Sequence, residues 1–157
     1  MFSCFTFLPQ PAYTLPRFQR RFVILQTQTT SQTEQQTRDF AVEAARLAAN
    51  TRCHNVVVLD VRGISPVTDY MILATGSSPR QMRTVCDDLA EWAQERGVRP
   101  YHSDGLESES WMLIDFVDVV VHVFNPESRS FYDLDSLWGD AQRVEWNDAP
   151  PPAAAKA

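Results

Sequence analysis

Thr75-Gly76-Ser77-Ser78, just ahead of a helical stretch, could cradle a phosphate, because the free N–H groups of a helix N-terminus attract anions. Nucleotidyl transfer would also need two carboxylates holding metal ions on the moving phosphate, normally one residue apart on a strand so that both point to one side. Asp115 and Asp118 are three apart across a turn signal, and Asp60 and Asp69 fall in separate elements. Simpler roles account for each of these groups. Ser78-Pro79-Arg80-Gln81 reads as a capping box, with Ser78 as N-cap, Pro79 at the first helical position and Gln81 reaching back. Asp115 and Asp118 read as turn residues, and Asp60 as an ion-pair partner of Arg62 or a structural acceptor. No catalytic residue is assigned.

Metal chemistry has as little support. Cys53 and His54 are adjacent and could be half of a site, but no second pair stands at ligand spacing. Cys4, Cys53 and Cys86 are odd in number and widely separated, which excludes a disulfide framework and favours a reducing compartment. His122 lies in an apolar strand and reads as a structural histidine. Neither metal nor cofactor is expected.

The elements that position these residues follow from periodicity. Phe40, Ala41, Ala44, Leu47 and Ala48 recur at helical spacing, predicting a helix over 34–51. Val56–Val61 and Tyr70–Thr75 read as buried strands, 79–96 as a helix stopped by Gly97, and Val98–His102 as a short strand. Ser110–Phe116 and Asp118–Asn125 follow as an antiparallel hairpin, and Pro126 opens a last helix ending near Gly139. Helix, two strands, helix, three strands, helix describes an α/β or α+β domain, a mixed five-stranded sheet flanked by helices.

The chain has 157 residues and is 44% hydrophobic, enough for one core. Residues 1–33 hold Arg17, Arg20 and Arg21 and no acid; the other 124 carry 20 acidic against 11 basic side chains. An acidic body is repelled by phosphate backbones, which argues against direct, extended nucleic-acid binding and for a basic protein partner. No apolar run reaches the ~18 residues of a membrane span. Residues 1–33 are expected to be a disordered or targeting extension, 34–140 the domain, and 141–157 a tail whose Ala149–Ala157 is rich in Pro and Ala. The expected location is the cytoplasm, or a mitochondrion or plastid if 1–33 is a transit peptide.

Aromatic side chains stand out between 106 and 138. Trp111, Tyr132 and Trp138 offer large contact area on stiff side chains, which suits recognition of a partner. The spacing of Phe131, Leu134 and Trp138 predicts that part of the last helix covers the sheet. Tyr132, turned by ~100°, would then face outward. Trp111 opens its strand near the rim, and Glu107 and Glu109 could add charge around it. The candidate partner-binding set is Trp111, Tyr132, Leu134, Leu137, Trp138 and Glu107.

Val-Val-Val-Leu-Asp-Val (56–61), Thr-Asp-Tyr-Met-Ile-Leu-Ala-Thr-Gly (68–76), Trp-Met-Leu-Ile-Asp-Phe-Val-Asp-Val-Val-Val-His-Val-Phe (111–124) and Tyr-Asp-Leu-Asp-Ser-Leu-Trp (132–138) together resemble the ribosomal silencing factor, or Iojap, family over about residues 36–140. The resemblance implies a core similar to that of nucleotidyltransferases, without catalysis. It implies binding to protein fourteen of the large ribosomal subunit on the face where the small subunit docks, and so repression of translation. A nucleotide-binding, nucleotidyltransferase-like enzyme is the alternative. A free sheet edge would also allow a homodimer.

Overall fold

Ala41, Ala44, Ala45 and Ala48 bury one side of α1 (Arg17–Asn50), and their small side chains let the helix lie close to the sheet. The computed structural model describes the backbone of residues 17–147 and the side chains of 33–147; residues 1–16 and 148–157, which include the Pro/Ala tail, lie outside the described residues. The chain divides into two units, Met1–Glu34 and Gln35–Ala157, and the second holds the whole sheet. α1 starts at Arg17, earlier than the predicted 34. It ends where Arg52 takes the left-handed conformation at φ 66° and the Cys53 N–H donates to Ala48 O at 3.0 Å. Such a stop usually uses glycine, which the sequence lacks there.

β1 (His54–Asp60) runs antiparallel to β2 (Tyr70–Thr75), and β2 parallel to β5 (Val119–Phe124). β4 (Trp111–Asp115) pairs antiparallel with β5 as the predicted hairpin, turning through Val117 at φ 76°, where the Asp115 carboxylate accepts from the Val117 N–H at 2.7 Å. β3 is His102–Asp104, displaced from the predicted Val98–His102. The Val98 N–H is spent on Ala93 O at the end of the preceding helix, and Pro100 has no N–H to give. A sixth strand, β6 (Gln142–Arg143), pairs with Leu59 and Asp60, so the sheet has six strands, not five, in the order β3-β4-β5-β2-β1-β6. The mixed α+β architecture is as predicted.

Alternation along the strands builds two apolar layers. On one face Val58, Tyr70, Ile72, Ile114, Val121 and Val123 pack with α1 and with α2 (Pro79–Glu95), which contributes Met82, Val85, Cys86 and Leu89. α2 starts as predicted: Ser78 Oγ accepts from the Gln81 N–H at 3.3 Å, and Gln81 Oε1 accepts from the Ser77 N–H at 3.0 Å. The opposite face gathers Leu59, Val61, Met71, Leu73 and Phe124 under two short helices, α3 (Pro126–Tyr132) and α4 (Leu134–Leu137).

Candidate protein-binding surface

The predicted last helix is two helices, and the break decides which aromatics face outward. Asn125 caps α3, accepting from the Ser128 N–H at 2.7 Å, while Pro126 sets the first turn. Asp133 then enters the left-handed region at φ 41°, ends α3, and caps α4 by accepting from the Ser136 N–H at 3.4 Å. Aspartate tolerates that conformation better than most side chains. Arg129 clamps the elbow: its guanidinium donates to both Asp135 oxygens at 2.7 and 3.0 Å and lies 6.0 Å from the Phe124 ring centre. The Arg129 side chain is only 11% exposed, so the paired charges hold the two helices on the sheet.

The break corrects one expectation. Phe131, predicted to cover the sheet, is 82% exposed, because the helical phase relating it to Leu134 is lost at Asp133. Leu134 and Trp138 do pack on the Leu59–Phe124 layer. Tyr132 is 47% exposed and Leu137 71% exposed, and Tyr132 meets Phe131 edge-on at 5.1 Å between ring centres. Phe131 and Tyr132 thus form an outward aromatic pair on α3, and Leu137 is exposed on α4. Among the candidates, sequence periodicity missed Phe131; Asp133, a residue suited to a left-handed cap, was the available signal.

Trp111 adjoins this pair and is half-buried rather than free. Its ring stacks on Phe124 at 5.0 Å and meets Tyr132 at 4.8 Å, and its Nε1–H donates to His122 Nδ1 at 3.2 Å. His122 therefore carries its proton on Nε2, a buried atom with no hydrogen-bond partner among the described residues. Burial, and then the nearby Arg129 charge, push its pKa down to about 4 against a smaller opposing pull from Asp115, so the ring is neutral near pH 7. Glu107 stands apart: it is exposed and pairs with Arg83 of α2, whose guanidinium holds its carboxyl below the usual range.

The groups weighed for catalysis are dispersed. Gly76–Ser78 follow the C-terminal end of β2, whereas Asp60 pairs in register with Tyr70 at the other end, and Asp118 O accepts from the Asp69 N–H there. Six residues at ~3.3 Å each put about 20 Å between the two groups, too far to act on one phosphate. The cradle amides are also occupied, since Gly76 N–H donates to Phe124 O at 2.7 Å and Ser77 N–H to Gln81. Asp60 pairs with Arg62 at 2.6 Å. Among the described residues no three His, Cys, Asp or Glu side chains gather to hold a metal ion. Nor, among them, is any helix long and apolar enough to cross a membrane.

Residues 34–157 match the family model described as ribosomal silencing factor during starvation. The chain is 39% identical over 107 residues to the ribosomal silencing factor of Halalkalibacterium halodurans, covering 66% of this chain and 92% of that one. It is 33% identical over 106 residues to the chloroplastic protein Iojap of Arabidopsis thaliana, covering 68% of this chain and 44% of that one. A crystal structure of a Chromobacterium violaceum protein superposes with a TM-score of 0.61 at 34% identity, covering 78% of this chain and 95% of that one.

Proposed function

The chain belongs to the family of ribosomal silencing factors during starvation, and from that premise we propose that it represses translation by binding large-subunit ribosomal protein fourteen and blocking small-subunit joining. The observation that carries the reading is the exposure of Phe131 and Tyr132 on α3 and of Leu137 on α4, two short helices joined by the Arg129–Asp135 clamp. Exposed apolar side chains on clamped elements supply the dry centre of an interface. Glu127 on α3, Asp133 between the helices and Asp140 after α4 are all exposed, and favour encounter with a basic surface. Repression then needs no chemistry, because a bound domain excludes the small subunit by volume.

The proposed contact set is Tyr132, Leu137 and Phe131 as exposed anchors, with Trp111, Leu134 and Trp138 supporting them from beneath. Glu107 is a peripheral member at most, since Arg83 already meets its charge. The place of action follows the ribosome it silences: the bacterial cytoplasm, or an organelle for a chain targeted as the plastid relative is named.

Tyr132→Ala and Leu137→Ala are each expected to weaken binding to isolated large ribosomal subunits by ~2 kcal/mol, about thirtyfold. Sedimentation should show fewer joined ribosomes when the parent protein is added before the small subunit. Parent protein that does not bind large subunits, or two variants that bind like the parent, would refute the reading. Trp111→Ala is a poor test, since it strips a ring from Phe124 and a donor from His122.

A further inference from the structure

Beside Trp111 the sheet is open. Strand pairing puts Trp111, Leu113 and Asp115 of β4 on the same face as His102 and Asp104 of β3, and α3 and α4 cover only the part of that face around Leu59, Leu73 and Phe124. A hollow of about 160 Å3 remains, lined by Asp104, Gly105, Trp111 and Leu113. It is well below the ~300 Å3 at which small-molecule pockets begin, and is sized for a single side chain.

Gly105 makes the hollow. Its φ is +67°, and a Cβ there would lie 2.2 Å from Trp111 O, so only glycine lets this turn close against β4. Asp104 Oδ1 accepts from the Gly105 N–H at 2.7 Å, which fixes the carboxylate at the rim. Among the described residues no cation pairs with Asp104, whereas Asp60, Glu107 and Asp135 each have an arginine. The hollow thus combines two apolar walls with an oriented, uncompensated negative charge.

We propose that this hollow receives a lysine or arginine side chain of the basic protein partner, its alkyl stem against Trp111 and Leu113 and its charged head at Asp104. The proposal rests on the partner reading above and names one anchor within it. Long cationic side chains bury their stems along apolar surface while keeping the head paired or wet, which is the shape this site offers. The charge supplies encounter rate and register, and the Tyr132 group supplies most of the affinity.

Asp104→Asn, Asp104→Lys and, as a control of equal charge change, Asp87→Lys on α2 separate the anchor from general electrostatics. Binding to isolated large ribosomal subunits at low salt should weaken about fivefold for Asp104→Asn, with an unchanged melting temperature because its Oδ1 can still accept from the Gly105 N–H, and at least tenfold for Asp104→Lys. Asp87→Lys, on the helix covering the other face, should weaken binding less than twofold, and the Asp104→Asn deficit should shrink as salt rises. If both Asp104 variants bind like the parent while Tyr132→Ala does not, the anchor is refuted and the partner reading stands. Equal losses for Asp104→Lys and Asp87→Lys refute it in favour of long-range charge. Parent protein that fails to bind at all overturns both.

Discussion

Protonation of His122 gives a measurable test of how the Trp111 cluster is held. Its Nδ1 accepts from Trp111, its Nε2 is buried, and its pKa falls from 6.5 to about 4, chiefly through burial. The unfolded chain binds a proton below about pH 6.5 that the folded chain refuses until about pH 4. Stability from this group is therefore complete above pH 6.5 and is lost as pH falls towards 4. At ~1.4 kcal/mol per pKa unit, the loss between pH 7 and 4.5 is on the order of 2 kcal/mol. His122→Asn is the matched reference, since its Oδ1 can still accept from the indole but cannot take up a proton in this range. Urea melts of both proteins at pH 7, 5.5 and 4.5 isolate the term: the smaller side chain costs the same at every pH, so only the difference in slope counts. The parent should lose on the order of 2 kcal/mol more than the variant. Parallel curves would show that His122 titrates alike folded and unfolded, and would refute the neutral, indole-bonded imidazole.

Ser78→Ala should cost about 1 kcal/mol in denaturant melts through loss of the α2 cap, and nucleoside triphosphate with Mg2+ should leave the parent's melting temperature unchanged; a saturable rise would revive the enzyme alternative. Trp138→Ala should lower stability by roughly 3 kcal/mol because the ring packs on the Leu59–Phe124 layer, while Leu137→Ala, 71% exposed, should stay within ~0.5 kcal/mol. The reverse order would mean that α4 sits differently on the sheet.

Local signals were strong wherever the pattern was periodic. The hairpin, the α2 cap and the Asp60–Arg62 pair could be read from neighbouring residues because their partners lie within a few positions. β6 could not be: Gln142 and Arg143 have no alternation or β propensity, and are a strand only because β1 lies alongside. The same limit applies to α3 and α4. A continuous apolar phase from Phe131 to Trp138 suggests one helix, and only Asp133 adopting a positive φ shows otherwise. Of the candidate surface, Tyr132 is exposed as expected, but not for the reason of helical phase, since Phe131, which that phase turns inward, is the more exposed of the two; the burial of Trp111 depends on His122 and Phe124, a strand away. Ser103-Asp104-Gly105 reads in sequence only as a turn, because the hollow at Asp104 forms only when β3 pairs with β4.

The outer flank of β1 is sealed largely by side chains. β6 covers only Leu59 and Asp60, and the Val144 N–H extends the pairing to Val58 O at 2.9 Å. Beyond that, the Trp146 indole donates to Val56 O at 3.1 Å and Arg129 to Asn55 O at 3.4 Å, while Arg46 of α1 holds Trp146 O at 2.8 Å. A foreign strand approaching this flank would have to displace an indole and a guanidinium before gaining its first ladder bond, and removing the guanidinium would unlatch the helical elbow as well. The Arg129 clamp that presents Tyr132 and Leu137 on one side therefore also guards the chain against cross-β accretion on the other, which ties solubility and recognition to a single side chain.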